Sequence, residues 1–540
     1  MATLSGFAAC AVPGDDRTVT LPSSSRSPVP TPLVWLALFV WLACTAWWRP
    51  LAVPDEGRYA GVAWEMIRSG DWLTPTLNGL PFFHKPPLFY WLTAISLEVF
   101  GLGLWAARLA SVLGAVLGAG ALYMLVRRWG GGRLAGWATL ALVTQPFWFG
   151  GAQYANLDML VAGCITATIA LAAHAVLAQE AGQPHRLALW AAYAMAGLGL
   201  LAKGLIGLVL PGGVIVLWLL ATGRWRSLWQ ILSLPGLLVL GAVAAPWFVA
   251  MQRLYPDFFH YFFVYQHFQR FTQTGFNNMH PFWYYVPLIV GLSLPWSLTG
   301  LWARWWSQDR SVAFLHGRGQ GAGRRALRSL AWVWLGLVLL FFSIPASKLP
   351  GYVLPTLPPL ALIVADLLAR RWPGAGARAF GVITAVAALL CVGLIGAAVR
   401  FDRQSVRPAL PLIQPLMNEG VPLVYVDEFV YDLPFYLARR EPVPVVADWS
   451  DPDLPLHDND RKELFDAGEF NPERARALLV PVAQWPALLC AQPRLVVVGP
   501  PKAPLRWPEL AGQEPAMRLK LSSVWVLERS ALQARGLVCP

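Results

Sequence analysis

Apolar runs of about 20 residues recur through this chain, and no other feature constrains its fold so strongly. A run of that length crosses a bilayer as a helix, because lipid offers no partners to backbone N–H and C=O groups. Such runs fall at 31–48, 103–126, 134–150, 158–178, 187–201, 204–221, 231–251, 282–303, 329–346, 350–369 and 377–399. A shorter apolar piece, 87–100, predicts a re-entrant or half-length helix. The expected fold is mainly α: a polytopic membrane protein with about 11–13 transmembrane helices. Composition agrees, with 56% of residues hydrophobic and only 13% charged, against about a quarter charged in soluble domains.

A net charge of +12 suggests nucleic acid, but the placement of the charges argues otherwise. Most of the Arg excess falls in short loops between spans: Arg127, Arg128 and Arg133; Arg186; Arg224 and Arg226; Arg304 to Arg328; Arg370, Arg371 and Arg378. Membrane topology explains such loops as cytoplasmic. There is no zinc-finger spacing, no Walker loop and no basic stripe with interleaved aromatics, so no nucleic-acid partner is expected. The alternate loops, 50–102, 151–157, 202–203, 252–281 and 346–350, should face outward, together with everything after about 400. The chain divides accordingly. Residues 1–30, rich in Ser, Pro and Thr, predict a disordered cytoplasmic tail, 31–400 a transmembrane catalytic domain, and 401–540 a soluble outer domain.

The C-terminal part is predicted from its short β-rich runs: 422–427, 443–446, 478–482, 494–499 and 522–528. They read as strands of a small α/β domain. Cys490 and Cys539 lie in it and would pair in an oxidising compartment; two inert thiols are the other reading.

Ionisable groups at membrane depth are costly and usually functional. Here nearly all of them belong to the outward set, which predicts one outer-face cavity. Tyr59, Val62, Ala63, Met66 and Ile67 form an apolar stripe, so 56–69 should be a helix in the interface plane with Asp55 at its N-cap. Asp55 and Glu56 suit either helix capping or chemistry at a developing sugar cation. Arg58 opposes the helix dipole, and a phosphate ligand would explain it. Lys85 follows His84 and precedes two prolines, which hold it at a fixed spot; it reads as a phosphate ligand or an interfacial anchor. Asn156 suits an N-cap, leaving Asp158 for a substrate hydroxyl or amine. Residues 259–271 place His260, His267 and Arg270 on one α-helical face, a phosphate clamp or an aromatic belt. Lys203, and Lys348 with Tyr352, sit at tight Gly/Pro turns where backbone approaches a ligand. Asp55, His84 and His267 would make an O/N/N site for a divalent metal, Zn or Mg, if the fold brings them together. Cations for phosphate and acids for sugar, at a membrane surface, point to a lipid-phosphate-linked sugar as substrate.

Three motifs in order carry a resemblance: PDEGRYAGVAWEMIRSGDWLTPTLNGLPFFHKPPLFYW, LAKGLIGLVLPG and SKLPGYVLPTLPPL. Together they resemble the undecaprenyl phosphate-aminoarabinose:lipid A aminoarabinosyltransferases, a family of GT-C glycosyltransferases, over roughly the first 370 residues. The resemblance implies transfer of 4-amino-4-deoxy-L-arabinose from undecaprenyl phosphate to lipid A phosphate, with inversion, on the periplasmic face of the bacterial inner membrane. It implies that Lys85 and Arg270 hold the donor phosphate, helped by Arg58 and Tyr352. Tyr59, Lys203 and Lys348 complete the expected substrate-binding set, and Asp55, Glu56 and Asp158 the catalytic one. Where this chain has His84 the family pattern has Glu, which leaves both the metal set and the donor sugar open, a hexosamine included. Two further readings stand beside this one. The first is a lipid-phosphate-sugar transferase acting on protein or surface polysaccharide. The second is a lipid-linked sugar transporter, which the nearly charge-free span centres disfavour.

Overall fold

The computed structural model describes residues 30–269, 278–305, 321–372, 376–401, 404–456 and 459–539, with the side chains of 267–269 outside that description. All but the last residue of the expected N-terminal tail, and Arg270, lie outside the described residues.

The expected spans appear as helices, but several are short or broken. Among the described residues, six helices are long and apolar enough to cross a bilayer: Leu104–Gly130, Leu157–Glu180, Leu234–Leu254, Ala322–Ser343, Pro350–Arg371 and Ala377–Phe401. Thr31–Ala43 and Ile206–Ala221 are apolar but shorter. The expected span 134–150 is two pieces, Gly132–Val143 and Pro146–Ala152, with Pro146 at the new helix start. Proline lacks the N–H that a continuing helix needs, so it opens a helix and does not extend one. The run 282–303 is likewise split at Pro295, and its halves meet at 101°. The apolar piece 87–100 is the 13-residue helix Leu88–Phe100. Leu104–Gly130 and Leu157–Glu180, rich in Ala and Gly, are buried along most of their length at the centre. Small residues let membrane helices approach closely. Ala377–Phe401 and Leu234–Leu254 keep most of their apolar surface outside, as lipid-facing helices do.

The five β-rich runs form strands. With a short hairpin earlier in the chain as β1 (Thr76–Leu77) and β2 (Leu80–Pro81), the sheet comprises β3 (Leu423–Val426), β4 (Val445–Ala447), β5 (Leu479–Pro481), β6 (Arg494–Gly499), β7 (Met517–Arg518) and β8 (Ser523–Glu528). Its order is β5-β4-β3-β6-β8-β7. The first four are parallel; β8 runs antiparallel to β6, and β7 to β8. The parallel strands are almost wholly apolar, as strands covered on both faces must be. Cys490 and Cys539 form a disulfide with Cα atoms 5.5 Å apart.

Helix Asp55–Ser69 departs from expectation. Its N-cap is Pro54, with no side-chain capping bond, so Asp55 is inside the first turn. Tyr59, Val62, Ala63 and Met66 are buried, as the stripe requires, but the opposite face is covered too. The α/β region packs onto it: a Cβ on Gly57 would lie 2.8 Å from the Asp432 backbone N and 3.0 Å from the Tyr431 carbonyl carbon. Only glycine permits that approach. Trp64 Nε1 donates to the Arg439 carbonyl at 2.9 Å. Asn78, at the hairpin tip, exchanges two 2.8 Å bonds with the Val443 backbone. The helix is therefore sandwiched between the membrane helices and the α/β region. Gly57→Ala should push these two bodies apart and cost about 1–3 kcal/mol of stability, read as a lowered thermal unfolding midpoint of the purified chain. An unchanged midpoint would contradict the sandwich.

Candidate functional site

The first structural acid of the site is one expected to be catalytic. Glu56 is fully buried, and both its carboxylate oxygens are taken. Arg108 Nε donates to Oε1 at 2.8 Å and Nη2 to Oε2 at 2.9 Å. Arg49 Nη1 donates to Oε2, as does the Ala52 backbone N–H at 2.8 Å. The Ala155 N–H donates to Oε1 at 2.6 Å. Arg108 spends its remaining donors on the carbonyls of Ala46, Arg49 and Pro50. The cluster thus clamps the end of the first helix, the start of Asp55–Ser69, the Arg108 span and the loop at 153–155. Burial alone would raise the Glu56 carboxyl; the Arg108 and Arg49 guanidiniums outweigh it and hold it at about 2. Glu56 lines neither cavity described below, so its position is that of a clamp and not of a reacting group.

Beside this clamp is a narrow cavity of about 60 Å³. Asp55, Arg58, Tyr59, His84, Lys85, Asp158, Lys203 and Tyr352 all line it, with Glu463 from the α/β region. Eight expected site residues from five separate stretches of chain meet there. The cavity adjoins a cleft of about 510 Å³ between the membrane helices and the α/β region, and shares Asp55, Arg58, Leu349 and Glu463 with it.

Most members are held by identifiable contacts within the protein. Arg58 is ion-paired with Asp55 and with Glu463, and its guanidinium lies over the rings of Tyr59 (5.2 Å) and Tyr431 (5.6 Å). Burial works against its charge, but Glu463 and Asp55 hold it protonated more firmly than a free arginine. This double pairing explains a cation in the first helical turn without any ligand. Asp158 is ion-paired with Lys203, and Lys203 Nζ stands 4.3 Å above the Tyr352 ring. Asn156 caps the helix, accepting from the Asp158 N–H at 3.0 Å, as expected. Gly351 explains the tight turn at SKLPGY: a Cβ there would lie 2.2 Å from Asp158 Oδ2. The backbone approaches that carboxylate closely, where a ligand had been expected.

Other expected residues lie elsewhere. Lys348 is buried and donates to the carbonyls of His280, at 2.9 Å, and Pro345; it does not line the cavity. His260–Gln269 is a π-helix, whose i→i+5 bonds widen the turn, so the α-helical spacing expected between His260 and His267 does not apply; Arg270 lies outside the described residues. The His267 side chain is outside the described residues. His84 stacks on Phe82, and its two ring nitrogens lie 4.0 Å from Glu463 and Asp466. Among the described residues, no three His, Cys, Asp or Glu side chains are grouped to hold a metal ion. Asp55 and His84 both line the cavity, and the third member of the expected set, His267, has its side chain outside the described residues.

Sequence reasoning missed Arg49, Arg108, Tyr431 and Glu463. Arg108 had a signal: a charge inside a 27-residue apolar helix demands a buried counter-ion. Glu463 had none, since DRKELFD reads as an ordinary charged surface helix.

Comparison with known proteins is consistent with this geometry. A family model described as dolichyl-phosphate-mannose-protein mannosyltransferase matches residues 84–249. The chain is 34% identical over 357 residues to the undecaprenyl phosphate-alpha-4-amino-4-deoxy-L-arabinose arabinosyl transferase of Erwinia tasmaniensis, covering 63% of this chain and 61% of that protein. The Pseudomonas aeruginosa PAO1 protein of the same name is 34% identical over 330 residues, covering 59% and 56%. The matched region thus spans about six-tenths of these curated relatives. The crystal structure of ArnT from Cupriavidus metallidurans bound to undecaprenyl phosphate superposes with a TM-score of 0.74 at 29% identity, covering 94% of this chain and 99% of that one. The chain is ArnT-like in sequence and in fold. It is a multi-span membrane protein of GT-C type.

The Glu56 clamp yields a stability prediction with a defined sign. Glu56→Gln leaves two buried guanidiniums without a counter-charge and should cost about 3–5 kcal/mol. Because the carboxyl is depressed, its contribution is complete above its ordinary value of 4.5 and is lost as pH falls toward about 2. The gap in thermal midpoint between wild type and variant should stay constant above about pH 5 and close below it. A gap that widens on acidification would refute the assignment.

Proposed function

We propose that this protein is a membrane glycosyltransferase that moves an amino sugar from undecaprenyl phosphate to a phosphate of lipid A. The donor sugar is 4-amino-4-deoxy-L-arabinose or a related sugar such as a hexosamine. The observation that carries this reading is the single cavity in which Arg58, Lys85 and Lys203 face Asp55, Asp158 and Glu463. It lies in a chain that superposes over 94% of its length on a protein solved with undecaprenyl phosphate.

The chemistry asks little of proton transfer. A phosphate oxygen of the acceptor attacks the anomeric carbon, and a new C–O bond forms there. The bond from that carbon to the undecaprenyl phosphate oxygen breaks, and its electron pair leaves with the phosphate. The acceptor is already anionic, and the leaving phosphate needs no proton. Catalysis then rests on positioning and on cations where negative charge grows. Lys85 is placed to hold the donor phosphate, with Arg58, Tyr352 and Lys203 beside it; Arg270 is proposed for the same task. Asp55 and Asp158 orient these cations and the sugar.

The same reading places the protein in the bacterial inner membrane, N-terminus cytoplasmic, with the cavity and the α/β region in the periplasm. Two observations support it. Arg324 and Arg328 at the start of helix Ala322–Ser343 and Arg370 at the end of helix Leu357–Arg371 cluster around Asp366, and Arg-rich span ends favour the cytoplasmic side. The Cys490–Cys539 disulfide suits an oxidising compartment. Residues 31–400 form the catalytic membrane domain, with 50–102 and 252–281 as its periplasmic segments, and 401–540 the soluble domain.

Mass spectrometry of lipid A from cells with and without the gene tests the reading. One pentosamine per modified phosphate should appear, and vanish in the deletion and with Lys85→Ala. A hexosamine increment instead would keep the mechanism and change the donor. Unmodified lipid A in cells that express the protein would overturn the acceptor and favour protein or polysaccharide glycosylation.

A further inference from the structure

Glu463 lies on helix Asp460–Glu469 of the α/β region, 405 residues along the chain from Arg58, yet it lines both the narrow cavity and the large cleft. One carboxylate oxygen accepts from Arg58 Nη1, and the other accepts from Tyr431 Oη at 2.6 Å. His84 Nδ1 stands 4.0 Å from the first oxygen. The Glu463 side chain is only 9% exposed, so water screens it little. Arg58 also donates to Asp55, and among the described residues its buried Nε–H has no acceptor.

Arg58 is thus one guanidinium held between two carboxylates. A cavity built only to grip phosphate would leave that guanidinium unopposed, because a fixed carboxylate a few ångströms from a bound phosphate weakens its binding. A transferase that discards a lipid phosphate after each turnover must also release it, and release often limits the rate. We infer that Glu463, supplied by the C-terminal α/β region, is a positioning residue of the cavity, which with Asp55 holds Arg58 and restrains its grip on the lipid phosphate. The inference rests on the proposed function and deepens it. The α/β region then acts on the chemistry of the membrane helices as well as covering them.

The test is equilibrium binding of undecaprenyl phosphate to the purified full-length chain at low salt. Glu463→Gln removes the charge at constant shape and should tighten binding about tenfold. Glu463→Asp keeps the charge and should bind nearly as wild type. In an Arg58→Gln background the gain from Glu463→Gln should shrink, since the cation it restrains is gone. In the transfer assay, kcat and the donor KM of Glu463→Gln should fall together, which a folding defect would not produce. If the Gln variant does not fold, Glu463→Ala removes the same charge and serves the same comparison. Wild-type binding with no gain in the charge-removed variants would overturn this inference alone. A wild-type chain that does not bind undecaprenyl phosphate would overturn the proposed function and this inference together.

Discussion

The buried triad of Glu56, Arg49 and Arg108 is the interaction on which the rest of the site depends. Two guanidiniums and one carboxylate, all buried, are costly to desolvate, and they persist only because almost every donor and acceptor is satisfied. Arg108 bonds three backbone carbonyls, Arg49 the carbonyl of Gln153 and Glu56 two backbone N–H groups, so the triad fixes four separate stretches of chain at once. Asp55 is the residue next to Glu56, and Asn156 and Asp158 follow Ala155 directly. The cavity acids therefore take their positions from bonds made by their neighbours. The specificity of this clamp, more than any gain in stability, is its physical role.

Around that clamp the cavity is built from paired charges. Arg58 answers Asp55 and Glu463, and Lys203 answers Asp158 while resting on Tyr352. Such pairs cost less to hold in a partly buried site than single charges would. Under the proposed function, a phosphate entering the cavity would exchange with carboxylates already there. Affinity is then a difference between two sets of ionic contacts, and the α/β region contributes to one of them. Its docking through Gly57, Asn78 and Trp64 carries Glu463 into place.

Much of this was legible in the residues themselves. The apolar runs located the membrane helices, since lipid forces every backbone group into internal bonds and so forces length and hydropathy to agree. The β-rich runs located five strands. The convergence of ionisable residues on one set of loops located the cavity, because charge near a membrane is kept only where it is used or paired. Two expected site residues, Glu56 and Lys348, do not line the cavity. Glu56 and Lys348 looked like site residues because acids and lysines at such loops are uncommon, and local sequence does not reveal whether the partner is a ligand or the protein's own backbone. The spacing assumed between His260 and His267 presumes the α-helical turn, which the π-helix His260–Gln269 replaces.

What the sequence determined by itself was class, membrane architecture and the kinds of charge at one end of the helices. These follow from local physics: the length of an apolar run, the alternation of a strand, the cost of a charge in lipid. Only the tertiary structure decided which acid is a clamp and which faces the cavity, and that a carboxylate from the far end of the chain completes the site. Those outcomes depend on contacts between residues hundreds of positions apart. Burial and pairing of a charge belong to the packed assembly of segments, and no single segment carries them.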